Sequence, residues 1–355
     1  MKNLLRIVIW TVVAVIVQQG VFLYLENVYL AGDYEIKAEK VEDENEKPEE
    51  KEEIVIKDGV ENITLSHNGR FVAYMDNGSL KIIDSQDDKE NEFMPDNKGE
   101  VVFYKWLTEG NNMMVIQKAI KNGQLYYEPI SYDARKGSAT NVVDFDYNEL
   151  RIPVESEDEY VENMEFSTAT GTFYIKIKKE NGKSDLYSWN IMNKLECVRE
   201  NKYIGDIVVP TTNSNCVMEM GDSVTILGSP DNIEIPGVTK ARVLGADIND
   251  YVYFGEESDG YITKICYSML SDEQLKWNLL TLSRAVEKND IIIDYSGKIY
   301  INDKESNQVT ELTSGKTIKY EGEFVQIYSE GIISKIENKL IKNQLNPKGS
   351  ADKNS

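Results

Sequence analysis

Residues 65–85 read LSHNGRFVAYMDNGSLKIIDS, and the reading of this stretch decides the fold. A polar turn, His67-Asn68-Gly69, leads into an alternating run from Phe71 to Met75. A second turn, Asn77-Gly78, leads into another alternating run from Leu80 to Asp84. Alternation of apolar and polar residues is the period of a half-buried strand, and Asn-Gly supplies the positive φ values of a type I′ hairpin turn. The stretch is a β-hairpin with a turn in front of it. It also carries His67, the only histidine of the chain, and so poses a choice between a chemical site and one tile of a repeat.

The same phrase returns downstream. Ser66–Tyr74 is matched by TEGNNMMVI at Thr108, STATGTFYI at Ser167, TTNSNCVME at Thr211 and DINDYVYFG at Asp247, with KNDIIIDYS at Lys288 a shorter relative. A tight turn follows each, and the turn glycines Gly78, Gly123, Gly182, Gly221, Gly260 and Gly297 stand 45, 59, 39, 39 and 37 residues apart. A seventh, weaker turn is Asn338-Lys339. Hairpins repeating at about forty residues are the signature of β-propeller blades. The expected fold is therefore all-β, a β-propeller of seven blades, with six as the alternative count and a pair of β-sandwiches as the rival architecture. The seventh blade runs out of chain near Leu345, and Ile54–Lys57 (IVIK) is the segment that could complete it and close the ring. Ser271–Lys288 reads either as a short helix with a Ser271/Gln274 capping box or as an outer strand.

The phrase SHNGRFVAYMDNGSLKIID resembles the repeat of TolB-like and dipeptidyl-peptidase-IV-like (WD40-like) propellers. Ser66, Gly69, Arg70, Ala73 and Tyr74 fit that repeat, while His67 and Asn68 replace its usual Pro and Asp. The later copies match mainly by spacing. The resemblance implies the propeller fold over most of residues 54–345. It implies no activity, because such propellers serve as binding platforms, ligand sites and peptidase lids alike.

Ile7–Leu25 is free of charge over nineteen residues, enough for a helix at about 1.5 Å per residue to cross a bilayer core. Lys2 and Arg6 precede it and Glu26, Asp33 and Glu35 follow, which by the positive-inside rule keeps the N-terminus in the cytoplasm and the bulk of the chain outside. Ala31 preceded by the bulky Tyr29 makes a poor signal-peptidase site, so an uncleaved anchor is the expectation. Asp33–Glu53 holds eleven acidic and four basic residues and reads as an extended, self-repelling spacer. The expected organisation is a stub and anchor at 1–32, a disordered spacer at 33–53, a propeller at 54–345 and a disordered tail at 346–355.

A net charge of −22 excludes nucleic acid as a partner, since phosphate recognition needs clustered Lys and Arg. No Gly-x-Ser-x-Gly elbow occurs, and the sole histidine precedes every candidate serine, which argues against a Ser-His-Asp hydrolase. Cys197, Cys216 and Cys266 lie in apolar runs without Cys-x-x-Cys spacing, so no metal site and no cofactor are expected. Calcium has one weak candidate, Asp144/Asp146/Asn148 with Glu155. There Glu149 stands where an EF-hand loop needs glycine, and Ile152 stands at a donor position. The long insertion Ile130–Tyr160 is where a binding surface is expected, with Tyr132, Arg135, Phe145 and Tyr147 as anchors. The functional expectation is a non-catalytic, membrane-anchored, extracytoplasmic scaffold or ligand-binding module of a bacterial cell envelope, whose partner is an envelope protein or glycan. The alternatives are a carbohydrate-active hydrolase or lyase using carboxylates on the propeller face, or a peptide or sugar sensor.

Overall fold

The structure is a computed structural model; it describes residues 53–344 except 96–98, 109, 191–194 and 272–274, together with Trp10, Gln18 and Gln19. The expected membrane helix, most of the acidic spacer and the tail at 346–355 otherwise lie outside the described residues. No helix among the described residues is long and apolar enough to cross a membrane.

Seven antiparallel sheets follow one another along the chain. Strand β1 (Glu53–Val55) comes first in the chain and belongs to the last sheet. Blade 1 holds β2 (Glu61–Leu65), β3 (Phe71–Asp76), β4 (Ser79–Asp84) and β5 (Lys89–Glu92). Blade 2 holds β6 (Glu100–Trp106), β7 (Asn112–Lys121), β8 (Gln124–Asp133), β9 (Ser138–Asn141) and β10 (Ile152–Pro153). Blade 3 holds β11 (Tyr160–Ser167), β12 (Thr172–Lys178), β13 (Ser184–Asn190) and β14 (Glu196–Lys202). Blade 4 has only β15 (Ile207–Val208), β16 (Val217–Met220) and β17 (Ser223–Ile226).

Blade 5 holds β18 (Ala241–Ala246), β19 (Tyr251–Ser258), β20 (Tyr261–Met269) and β21 (Asn278–Val286). Blade 6 holds β22 (Ile291–Ile293), β23 (Ile299–Asp303), β24 (Gln308–Glu311) and β25 (Thr317–Lys319). Blade 7 holds β26 (Glu323–Tyr328), β27 (Gly331–Ile336) and β28 (Lys339–Gln344). The first strands of blades 7, 1, 2, 3, 4, 5 and 6 touch in that order, which places them innermost around the axis. The ambiguity at Ser271–Lys288 resolves to an outer strand, β21: Leu280 and Leu282 pack toward the interior while alternate residues face solvent.

Blade 7 is completed by the chain's early residues. β1 pairs antiparallel with β28, Glu53 with Ile341, Ile54 with Leu340 and Val55 with Lys339. Ile54 is 1% exposed and packs with Leu65, Tyr74, Ile333 and Leu340, so the closing strand is sealed by a core shared between blades 7 and 1. Between other neighbouring blades the same arrangement recurs: apolar side chains of adjacent sheets interdigitate, as Phe71, Leu80, Met113 and Tyr132 do between blades 1 and 2.

Candidate functional site

The turns that join first to second strands follow one design. In blade 1 the Gly69 N–H donates to the Ser66 carbonyl, and Ser66 Oγ accepts from the Phe71 N–H. In blade 5 the Asp250 N–H donates to the Asp247 carbonyl, and Asp247 Oδ1 accepts from the N–H groups of Asn249 and Tyr251. In blade 6 the Gly297 N–H donates to the Asp294 carbonyl, and Asp294 Oδ1 accepts from the Lys298 N–H. The fourth residue of each turn, Gly69, Asp250 or Gly297, has φ of 68°, 64° or 87°, the left-handed conformation that Gly, Asn and Asp tolerate. Asp247 and Asp294 also accept from a tyrosine six residues on, Tyr253 at 2.9 Å and Tyr300 at 3.4 Å. Burial raises the Asp247 carboxyl above its ordinary range despite these donors.

These turns bond to one another around one end of the axis. The Ala169 N–H donates to the Thr211 carbonyl, Thr211 Oγ1 to the Asp247 carbonyl, and the Ile248 N–H to the Tyr295 carbonyl. The Ser329 N–H donates to the His67 carbonyl, and the His67 ring meets the Tyr295 ring edge-on at 5.5 Å. His67 is thus a packing residue in a ring of turns.

The four predicted anchors are not brought together. Tyr132 is 2% exposed, on β8, with its ring edge-on to Phe93 at 5.8 Å, so its side chain belongs to the core between blades 1 and 2. Period-2 alternation along β8 puts Tyr132 on the buried face, and the insertion begins only after it. Arg135 is exposed in the β8–β9 turn and reaches the Asn111 side-chain oxygen with Nε at 2.7 Å and Nη2 at 2.9 Å. Phe145 and Tyr147 sit elsewhere, on the excursion between β9 and β10. Both short strands pair with β8, β9 along Ile130–Asp133 and β10 at Tyr126 and Tyr127, so residues 142–151 leave and rejoin the outer edge of blade 2.

That excursion is pinned. Asp144 Oδ1 accepts the N–H groups of Asp146 and Asn148, both at 2.9 Å, and the Tyr147 N–H donates to the Asp144 carbonyl at 3.0 Å. Tyr147 takes a left-handed φ of 63°. At its base Glu149 accepts from Lys121 Nζ at 2.7 Å and Asn141 Nδ2 at 3.0 Å, and pairs with Arg151. The Lys121 contact first, then the Asn141 bond, holds the Glu149 carboxyl below the usual range. On top of this base Phe145 is 65% and Tyr147 86% exposed. Asp144 is occupied by its own turn, and among the described residues no three His, Cys, Asp or Glu side chains gather as a metal site.

Two features at the inner strands escaped sequence reasoning. A cleft of about 340 Å³ is lined by Glu165, Asp206, Gly245 and Lys288, where Lys288 Nζ lies 2.5 Å from both Asp206 and Glu219 carboxylates. A second, of about 450 Å³, opens between blades 1 and 2 beside Glu61. Both depend on distant strands meeting at the axis. The three cysteines are free; Cys216 and Cys266 are buried, and burial pushes the Cys266 thiol up to about 11.

No protein-family profile and no curated protein matches the chain. Solved structures match its fold. The β-propeller domain of Cps50 (Swd1) from Myceliophteria thermophila is 10% identical, with 81% of this chain and 98% of that chain covered at a TM-score of 0.51. Hsv2p of Kluyveromyces lactis is 13% identical, with 79% of this chain and 90% of that chain covered at 0.46. At such identities the likeness concerns the fold alone. The chain has a seven-bladed β-propeller fold.

Proposed function

We propose that this protein is a non-catalytic interaction scaffold, held to a bacterial cell membrane by its apolar N-terminal run and displaying its propeller outside the cytoplasm to an envelope partner. The observation that carries the reading is the pair Phe145 and Tyr147. Two large aromatic rings stand in solvent on a turn whose backbone is fixed by Asp144 and whose base is clamped by Lys121, Asn141 and Arg151. Aromatic anchors on a pre-organised loop are what protein interfaces use, because little ordering entropy remains to be lost on binding. The uncharged run Ile7–Leu25, the Lys2/Arg6 flank and the acidic spacer support the anchored topology.

The test is affinity capture from membranes of the producing cells, with the full chain against Phe145→Ala/Tyr147→Ala. The expected result is a defined envelope partner retained by the wild type and reduced at least about tenfold by the double variant, with an unchanged melting temperature. Capture that is indifferent to both rings, or turnover of an envelope polysaccharide by the purified chain, overturns the proposal. A reporter fused after Ser355 is expected to be active only in its extracytoplasmic form.

A further inference from the structure

The cleft between the inner strands of blades 1 and 2 has the chemistry of a cation pocket. It arises from a defect in pairing. In blades 2, 3, 5 and 7 the first strand skips one residue against the second, at Val102, Glu162, Leu244 and Val325. In blade 1 the offset is again one residue but spread over a longer unpaired stretch: Glu61 pairs with Met75 and Thr64 with Ala73, so Asn62 and Ile63 stand against Tyr74 alone. Asn62 adopts a left-handed φ of 54°, and Tyr104 of blade 2 reaches across to donate its hydroxyl proton to the Asn62 carbonyl. Beside this bulge lies a space of about 450 Å³ with Met75, Gly78 and Tyr104 among its walls.

The groups in that space are of one kind. Of the residues lining it, Glu61 alone is charged, and no described residue forms an ion pair or hydrogen bond with its carboxylate. Thr64 Oγ1 is buried there without a hydrogen-bond partner, an acceptor that costs free energy until something donates to it. No Lys or Arg lines the space, although basic partners satisfy acidic groups elsewhere: Lys105 pairs with Glu165 and Lys288 with Asp206 at neighbouring inner strands. A free carboxylate, an unfilled hydroxyl acceptor and apolar walls together fit an alkyl stem ending in a guanidinium or ammonium group. Its methylenes would lie along Ile63 and Met75, and its N–H donors would meet Glu61 and Thr64.

We propose that this cleft receives an arginine or lysine side chain of the partner protein; the choice of a peptide source rests on the scaffold reading, whereas the cation chemistry does not. The test is calorimetric titration of the full chain in detergent at low salt with four probes. These are butylguanidinium, its neutral isostere butylurea, and the acetylated, amidated tripeptides Gly-Arg-Gly and Gly-citrulline-Gly. Both cationic probes are expected to bind at least about tenfold more tightly than their neutral isosteres, with the arginine peptide tighter than butylguanidinium. Glu61→Gln is expected to erase the cation preference, Thr64→Val to weaken cation binding several-fold, and Asp259→Asn, in the exposed β19–β20 turn of blade 5, to leave it unchanged.

Equal affinity for cation and isostere, or a cation preference that survives Glu61→Gln with an unchanged melting temperature, overturns the cleft assignment. Butylguanidinium binding as tightly as the arginine peptide overturns the peptide source. The aromatic loop reading fails separately, through capture indifferent to Phe145 and Tyr147.

Discussion

At Gly69 the backbone φ is 68°, and Cδ2 of Tyr328 lies 2.7 Å from where a β-carbon would stand. Two demands meet on one residue: a left-handed turn and an aromatic ring from blade 7 packed directly on its Cα. Gly110 carries the first demand alone, with φ of 80° and nothing within 4 Å of its would-be β-carbon. Gly110→Ala should therefore cost only conformational strain, about 1 kcal/mol, and Gly69→Ala that strain plus overpacking, about 2–4 kcal/mol in urea denaturation. Equal costs would mean that Tyr328 yields freely. The turn itself was legible, since Asn68-Gly69 states it locally. The ring was not, because Tyr328 comes from the far end of the chain and nothing near Gly69 announces it. The same limit explains the site. Phe145 and Tyr147 were readable as aromatics in a polar insertion, whereas the cleft at Glu61 needs a bulge in one blade to meet Tyr104 of the next.

Among the elements, β1 is a strand of three residues that completes a blade. Three residues close the ring, with backbone pairing to Leu340 supported by the Ile56 N–H on the Asn338 carbonyl at 2.8 Å and Glu53 facing Lys339 at 2.8 Å. The surface ion pair is worth little, so the hold comes from Ile54 in its shared core and from the ladder. Ile54→Ala should cost about 2–4 kcal/mol and expose the β28 edge, while Val55→Ala, 61% exposed, should stay within about 0.5 kcal/mol. Urea melts with size-exclusion chromatography check both; concentration-dependent dimers of the Ile54 variant are the expected sign of an opened edge. The closing role of Ile54–Lys57 was legible because the seventh hairpin lacked a strand. Blade 4 was less so. Its spacing matches a complete blade, yet Pro230 and Pro236 flank the segment after β17, and proline offers no ladder donor. An irregular run joined at Thr225 and Asn232 stands there in place of a fourth strand.

For the whole molecule, net charge and the individual carboxylates make opposing demands as pH falls. Asp247 and Glu159 are held above the ordinary carboxyl range, mainly by burial. Raised in the fold relative to the unfolded chain, they bind protons more readily when native. Their charged forms therefore cost stability at neutral pH, and that cost fades as pH falls through their folded values. Asp84 goes the other way. Burial alone would raise it, but the fork from Arg70, with Nε at 3.0 Å and Nη2 at 2.6 Å, and the Gln86 N–H outweigh burial and lower it. Glu90 is lowered likewise, the Tyr74 hydroxyl and Lys57 outweighing its burial. Stability from these lowered groups is present above the unfolded carboxyl range and is lost as pH drops through their folded values. A chain of net charge −22 also repels itself less as acids begin to protonate. The melting temperature should thus rise modestly from pH 7 to about 5, then fall steeply below about pH 4. Asp84→Asn should lower it at pH 7 and flatten the acid limb, because a neutral amide cannot hold both Arg70 donors as a carboxylate does. Asp247→Asn should instead flatten the rise between pH 7 and 5, since it removes one of the two burial-raised carboxyls. A melting temperature that falls steadily from pH 7 downward would show that the paired carboxylates outweigh both burial and self-repulsion across the range.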